Sequence, residues 1–158
     1  MKSLNQLIIT LMACLFSIQA WAQSGKLFNT DNQLSSNLAT QVFQDKSGFI
    51  WIATRNGLNT YDGYHITVMK KDMSNFLGLK SNYINSIAQD EKGHILLGTN
   101  NSLLEFTGSE FHKIPMLDSK GEELATYVKQ VYPLKNKDVA VATSGYGIMI
   151  KKKDAQEC

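Results

Sequence analysis

The sequence predicts an all-β fold assembled from repeated four-stranded antiparallel sheets, and two observations carry this prediction. First, residues 34–63 align without a gap on residues 79–108, 45 positions further along the chain, and eleven of the thirty aligned positions are identical. Second, each copy consists of short apolar or alternating segments separated by turn residues. A period of about 45 residues that is rich in short strands is typical of β-propeller blades. The 158 residues therefore predict an incomplete propeller of about three blades.

The first blade is predicted over residues 34–78. Its four predicted strands are residues 40–44, 49–53, 58–61 and 64–69. The turn over residues 45–48 begins with Asp and ends with Gly, as type I turns favour. The Asp62-Gly63 pair is a strong hairpin signal between the last two strands. Residues 49–53 are apolar on both faces, so this strand, with its Trp51, is expected to lie in the core.

The second blade, residues 79–123, repeats this plan, and a third, residues 124–158, begins but does not complete it. The predicted strands of the second blade are residues 84–89, 94–98, 103–106 and 109–114. In the third copy, two strands are predicted at residues 127–133 and 138–143, followed by a turn at residues 145–148. The residues after position 151 turn polar, so we expect a partial third blade with a polar tail.

The first 22 residues have the composition of a signal peptide. Residues 7–20 are mostly apolar, and Ala20-Trp21-Ala22 has the small-x-small pattern that signal peptidase needs. An uncleaved anchor, or a lipid anchor at Cys14, are the alternatives. We therefore expect an exported, periplasmic protein, with membrane attachment in a longer parent left open. Removal of the leader leaves Cys158 as the one cysteine, which excludes an internal disulfide.

Residues 23–33 stand where the fourth strand of a preceding blade would stand. In closed propellers such an N-terminal strand completes the last blade, and we expect residues 23–33 to be that strand. Propellers close with typically about four to eight blades, so the blades of this chain cannot close alone. Each open blade face is expected to expose large apolar side chains. We therefore expect the chain to be the N-terminal piece of a longer protein, with self-association through open blade faces as the alternative.

A set of motif residues in the first copy resembles that of a known repeat family. These residues are Leu34-Ser35-Ser36-Asn37, Gln44-Asp45, Gly48-Phe49-Ile50-Trp51-Ile52, Thr54, Gly57-Leu58 and Tyr61-Asp62-Gly63. The pattern resembles the two-component regulator propeller repeat. The second copy departs from it, with Leu96 in place of the Trp, Ser102 in place of a Gly and Thr107 in place of an Asp. The resemblance covers nearly all of residues 23–150.

The resemblance implies a place in the periplasmic sensor region of hybrid two-component systems of the Bacteroidetes type. Members carry many such repeats, followed by a membrane span, a histidine kinase and response-regulator parts. They sense glycan breakdown products and switch on genes for carbohydrate use. The resemblance therefore implies a carbohydrate ligand, and as partners it implies further propeller repeats and the kinase region of a longer parent protein.

The residues offer no catalytic constellation, so the chain is not expected to be an enzyme. His65, His94 and His112 have no metal-ligand spacing to Cys, Asp or Glu, and we expect neither a metal nor a cofactor. The net charge of +2 is too small to argue for nucleic acid.

One end of the sheets is the predicted binding face. Antiparallel strands send alternate connections to opposite ends, so the blade-to-blade links and the turns between second and third strands share a face. Loops on a rigid scaffold are where binding residues collect. The candidate ligand-binding residues, which offer planar polar groups and an aromatic ring, are Arg55, Asn56, Asn100, Asn101 and Tyr146. The alternative is that these are turn residues without a ligand. Local hydrogen bonds at the strand ends are expected for Thr54, Thr99 and Thr143.

The leading hypothesis is that the chain is the N-terminal fragment of a periplasmic, glycan-sensing propeller that signals to a kinase elsewhere in its parent. A truncated, structural or adhesive exported repeat protein is the alternative. An exported propeller enzyme is a third hypothesis, and it would need acidic or His residues that converge on one face.

Overall fold

The computed structural model describes residues 25–71 and 78–158, and these residues form an almost purely β structure. A short 3-10 helix, Thr30–Asn32, precedes the first strand. The strands are β1 (Ala39–Gln44), β2 (Ile50–Thr54), β3 (Gly57–Tyr61), β4 (Ile66–Met69), β5 (Ile84–Gln89), β6 (Ile95–Thr99), β7 (Leu103–Phe106), β8 (Phe111–Ile114), β9 (Val128–Pro133), β10 (Val139–Thr143) and β11 (Ile148–Lys151). The predicted leader, residues 1–22, lies outside the described residues. Where the chain is described, it holds no helix of the length and apolarity that a bilayer crossing requires.

The strands form antiparallel meanders in the predicted order. The sheets are β1-β2-β3-β4, β5-β6-β7-β8 and β9-β10-β11, which confirms the all-β class and the four-stranded blades, the last of them partial. We call the first strand of each sheet, β1, β5 or β9, its inner strand. The inner strands β1 and β5 have a register irregularity at equivalent positions, Ala39/Gln41 and Ile84/Ser86. Such bulges bend a strand and increase its twist. The repeat in sequence is therefore also a repeat in backbone geometry.

Two apolar clusters hold neighbouring blades together. Because side chains alternate across a strand, β6 sends Ile95 and Leu97 toward the first blade and Leu96 toward the third. The first cluster includes Trp51, Ala53, Leu58 and Met69 from the first blade and Ile87, Leu104 and Phe111 from the second. The second includes Ala88, Leu103 and Ile114 from the second blade and Val128, Val131, Val139 and Val141 from the third. Within the described residues, the middle blade is therefore the one covered on both faces.

Trp51 lies in the core, as predicted, and it also fixes the turn that precedes its strand. Its indole N–H donates to Asp45 Oδ2 at 2.8 Å, and the buried ring meets the edge of Phe106 at a centroid distance of 5.8 Å. The other carboxylate oxygen of Asp45 accepts the backbone N–H groups of Ser47 and Phe49. One aspartate thus joins the first turn of the blade to the packing between blades.

The second and third blades approach each other closely at Gly98. A Cβ placed on Gly98 would lie 2.7 Å from Val128 Cγ1 and 3.3 Å from Val131 Cγ2. Ala53 occupies the corresponding position in the first blade and faces the second blade. The absence of a side chain at Gly98 is therefore what allows the third blade to sit against β6.

The outer faces of the first and third sheets expose apolar side chains. Val42 on β1 is 63% exposed and Ile148 on β11 is 71% exposed. Tyr132 and Ile150, which flank Ala140 in the third sheet, are exposed as well. These faces have the character of blade surfaces that a further blade would cover.

The segment before the first blade contains no strand in its described part. Residues 25–29 have extended or irregular backbone, and Phe28 packs on Tyr61 at a ring centroid distance of 4.8 Å. The amine of Lys26 donates to the Tyr61 hydroxyl at 3.1 Å. Among the described residues, the three sheets consist of β1 to β11, and none of them is the sheet of a last blade that residues 23–33 could complete. That residues 23–33 complete a last blade therefore stays a prediction.

The polar tail returns to the body of the protein. Cys158 N donates to Pro115 O, and Leu117 N donates to Cys158 O, both at 3.0 Å. The half-buried Cys158 packs against the second apolar cluster beside Leu124 and Met149. The tail therefore shields part of the second cluster, which its polar composition alone did not indicate.

Candidate functional site

The middle turns of the blades and the segments that enter the inner strands lie together at one end of the sheets. Equivalent hydrogen bonds join them in each blade, from Arg55 N to Leu38 O (3.1 Å), from Asn100 N to Tyr83 O (3.3 Å) and from Ser144 N to Tyr127 O (2.8 Å). Gly57 N also donates to Asn82 O at 2.7 Å, which ties the first blade to the link that follows it. We call this end the linker face, formed by residues 34–38, 54–57, 79–83, 99–102, 126–127 and 144–147.

A buried threonine at the end of each second strand holds its turn in place. The hydroxyl of Thr54 donates to Gly57 O at 2.7 Å, that of Thr99 to Ser102 O at 2.9 Å and that of Thr143 to Gly147 O at 2.9 Å. These bonds confirm the expected local role of the three threonines. The turns of the linker face are thus rigid supports for the side chains that they carry.

The predicted site residues are all exposed on the linker face, and they belong to the turns of three different blades. The Asn100 amide oxygen accepts the Ser81 hydroxyl at 2.7 Å, and the Asn101 amide oxygen accepts the Ser102 hydroxyl at 3.2 Å. Asn56 Nδ2 reaches Ser35 O at 3.4 Å. The three asparagines therefore use part of their hydrogen-bonding capacity to stabilise turns. Tyr146 lies on the turn of the third blade, and its side chain is exposed.

Arg55 joins two tyrosines that the sequence reasoning did not select. Its guanidinium lies over the ring of Tyr83 at 5.3 Å from the centroid, a cation–π distance. The Tyr83 and Tyr127 rings meet edge to face, with centroids 6.2 Å apart. Tyr83 and Tyr127 occupy the same position of successive repeats, immediately before the inner strand, where the first repeat has Leu38. That shared repeat position is the signal that could have found them.

A depression adjoins this aromatic pair along the first strands of the sheets. It is lined by Thr40, Asn85, Tyr127, Lys129 and Ser144 and has a volume of about 510 Å³. The Tyr127 hydroxyl donates to Asn85 Oδ1 at 2.9 Å, and Asn85 Nδ2 donates to Val128 O at 3.0 Å. Partial burial raises the pKa of Tyr127, so its hydroxyl remains protonated at neutral pH.

The opposite end of the second blade brings three ligand-type side chains together, although no metal-ligand spacing was recognised in the sequence. Potential ligand atoms of Asp90, His94 and Glu105 all lie within 4.8 Å of one another. Asp90 and His94 come from the turn before β6, and Glu105 comes from β7. Their proximity depends on the pairing of β6 with β7, which a search for short spacings does not detect.

The family model of the two-component regulator propeller matches the chain twice, at residues 33–56 and 78–101. The two matches are 45 residues apart and fall on the first halves of the two complete blades. They coincide with the repeated segments that carry the resemblance, and they confirm it. No curated protein sequence gives a significant match.

Solved structures share the fold of the chain at low sequence identity. The extracellular domain of the one-component system BT4673 from B. thetaiotaomicron matches 82% of this chain with a TM-score of 0.66 and 17% identity. The extracellular domain of the hybrid two-component system BT3049 from the same organism matches 82% with a TM-score of 0.63 and 20% identity. PorZ, a surface component of the type-IX secretion system of Porphyromonas gingivalis, matches 78% with a TM-score of 0.59 and 14% identity.

The matches cover only a small part of these larger proteins. The chain spans 19% of the BT4673 domain, 17% of the BT3049 domain and 21% of PorZ. The likeness therefore establishes the blade fold, and it concerns about a fifth of each structure.

Proposed function

Because the chain carries two-component regulator propeller repeats, we propose that it is the N-terminal part of a periplasmic ligand-sensing propeller of a hybrid two-component system. The repeats and the fold shared with extracellular sensor domains support this proposal. The exposed apolar faces of the first and third sheets support the presence of further blades in the working protein. In this proposal the kinase region belongs to the longer parent.

The ligand that we propose is a glycan-derived oligosaccharide bound on the linker face. The observation that carries this proposal is the row of Arg55, Tyr83 and Tyr127, which runs from the first blade to the third. Aromatic rings offer an apolar surface with a polar tip, which suits the mixed apolar and hydroxyl surfaces of a sugar. A guanidinium adds several N–H donors in a fixed plane. The adjoining depression with Asn85 and Lys129 supplies further polar groups.

We propose a binding role and no catalytic role for this face. The polar groups around Tyr127 are an amide, hydroxyls and an amine, and the carboxylate pair that glycoside hydrolysis requires is not among them. A bound sugar would therefore dissociate without being cleaved, as expected for the ligand of a sensor.

Glycan-array binding of the full chain tests this proposal, with Tyr83→Ala and Tyr127→Ala as the site variants. Tyr64→Ala is the matched control, because Tyr64 is 83% exposed at the opposite end of the first blade. A stacked ring that contributes about 1.4 kcal/mol would change the dissociation constant about tenfold. We expect the two site variants to lose at least about this much affinity and the control to bind normally. Glycan binding that is equal in all four proteins would contradict the proposed site.

A structural role at the cell surface is the second candidate function. The fold similarity to PorZ, a component of a secretion system, favours it. In that case the exposed blade faces would hold a neighbouring protein or a second copy of the chain, and the tyrosine variants would have no effect. Sequencing downstream of the codon for Cys158 distinguishes the two, because the sensor hypothesis requires more repeats, a membrane span and a kinase.

A further inference from the structure

Three side chains at the end of the second blade opposite the linker face have the arrangement of metal ligands. His94 Nδ1 lies 3.1 Å from Glu105 Oε1 and 3.6 Å from Asp90 Oδ2. Nitrogen and oxygen ligands bind zinc at about 2.0–2.2 Å in a tetrahedron, so their atoms lie roughly 3.4 Å apart. Both measured distances fall close to this value. We propose that Asp90, His94 and Glu105 bind a divalent transition-metal ion of the zinc type.

The first blade shows what the same position looks like without such a site. Its equivalents of Asp90, His94 and Glu105 are Asp45, Phe49 and Thr60, so it keeps a single ionisable group. There, the Trp51 indole N–H occupies Asp45 Oδ2. The second blade has Leu96 in place of that tryptophan, which leaves the corresponding oxygen of Asp90 without an indole donor.

The residues that differ between the two blades therefore surround one atom, Asp90 Oδ2. The loss of the indole frees Asp90 Oδ2, and the same blade gains an imidazole and a carboxylate beside it. The two turns share one bond to the aspartate, because Asp90 Oδ1 accepts the His94 backbone N–H at 2.8 Å, as Asp45 Oδ1 accepts that of Phe49 at 3.0 Å. Turn geometry accordingly explains why an aspartate is present, but it does not explain the histidine and the glutamate.

The surroundings give an ion both partial burial and access. The three side chains are between 14% and 31% exposed. His94 and Glu105 also line a cleft of about 610 Å³ between the second blade and the tail, which leaves room for a water molecule as fourth ligand. Three lysines line the same cleft. Lys113 is paired with Glu123, the Lys151 amine donates to Ala155 O at 2.8 Å, and Lys92 lies on the turn between Asp90 and His94. A divalent cation would balance the two carboxylates when the imidazole is neutral.

Zinc titration by calorimetry into the full chain tests the proposal, in a background with Cys14→Ser and Cys158→Ser because thiolates bind zinc. We expect one zinc ion per chain and a higher unfolding temperature with zinc. His94→Phe and Glu105→Thr place the residues of the first blade at these positions, and each is expected to weaken binding by at least about tenfold. His65→Gln is the matched control and is expected to bind zinc as the parent does.

Two results would overturn the proposal. One is the absence of binding heat and of thermal stabilisation at sub-millimolar zinc, which would identify the three groups as a hydrogen-bonded triad. The other is binding that survives both His94→Phe and Glu105→Thr. Glu105→Gln, which keeps the shape of the side chain, provides a second test if either of those variants loses its β-sheet circular dichroism. This inference is independent of the glycan site, because it concerns the opposite end of the blade.

Discussion

Replacement of Gly98 by alanine tests whether the third blade packs against the second as closely as described. The added Cβ would lie 2.7 Å from Val128 Cγ1, whereas carbon atoms in favourable contact are about 3.5–4.0 Å apart. Val128 is fully buried, and its β-branched side chain has little rotamer freedom. The contact is therefore relieved only if β9 moves away from β6 by about 1 Å.

The expected cost follows from two opposing effects. Overpacking of a close-packed core costs about 1–3 kcal/mol. The change from glycine to alanine returns about 0.4–1 kcal/mol, because it lowers the backbone entropy of the unfolded chain. We expect a net loss of about 1–2 kcal/mol in the free energy of unfolding. With a urea slope of about 1–3 kcal/mol per molar, the midpoint should fall by roughly 0.3–2 M.

The assay is urea unfolding of the full chain, followed by circular dichroism. The double variant Gly98→Ala/Val128→Ala provides the control, because removal of the Val128 methyl groups makes room for the new Cβ. The two changes should therefore cost less together than the sum of the single changes, by about 0.5 kcal/mol or more. A Gly98→Ala variant as stable as the parent, or strictly additive effects, would refute the described contact between β6 and β9.

Three further predictions concern single contacts. Trp51→Phe keeps an aromatic ring but removes the N–H that Asp45 accepts, so we expect a loss of about 1–2 kcal/mol in urea unfolding; an unchanged midpoint would show that this bond contributes nothing. The Lys152 amine holds the pKa of Asp138 below its ordinary value, so the stabilisation is complete above the unfolded-state pKa and disappears as pH falls through the folded-state pKa. The difference in unfolding free energy between the parent and Asp138→Asn should accordingly shrink as the pH is lowered below about 4, and a constant difference from pH 6 to pH 2 would contradict it. Burial raises the pKa of the Cys158 thiol to about 11. In a Cys14→Ser background, this thiol should therefore react with Ellman's reagent at pH 8 far more slowly in the folded chain than in the urea-unfolded chain. Equal rates would mean that the tail does not dock.

Much of the fold was predictable from the sequence because each blade is stabilised by local pairing. The turn residues and the alternation of apolar residues give the predicted bounds of β5 (Ile84–Gln89) and β7 (Leu103–Phe106), and they place β8 (Phe111–Ile114) within two residues of its predicted start. That residues 23–33 form the strand that completes a last blade stays a prediction, because the described sheets do not include such a blade. A strand needs a neighbouring edge, and sequence patterns do not show whether one is present.

The candidate site was less predictable, because it depends on distances between blades. Arg55 was selected for its planar polar group, but its partner Tyr83 was not selected, since their contact joins the first blade to the link that enters the second. Asn100 and Asn101 were selected for their amides, whose oxygens accept the hydroxyls of Ser81 in the link between blades and of Ser102 in the turn. Likewise, Glu105 meets His94 only through the pairing of two strands. Spacing along the chain does not reveal contacts of this kind.

Because neighbouring blades cover both faces of the middle sheet, we expect that sheet to unfold locally less often than the other two. In a stack of modules that contact only their neighbours, stability is a sum of module and interface contributions. Opening a terminal module breaks one interface, whereas opening the central one breaks two. Amide hydrogens of β6 should therefore be the slowest to exchange with deuterium, and those of the outer strands β4 and β11 the fastest. A further blade docked on the first or third sheet would slow amide exchange in that sheet. The exchange rates would therefore show how many neighbouring blades each sheet contacts.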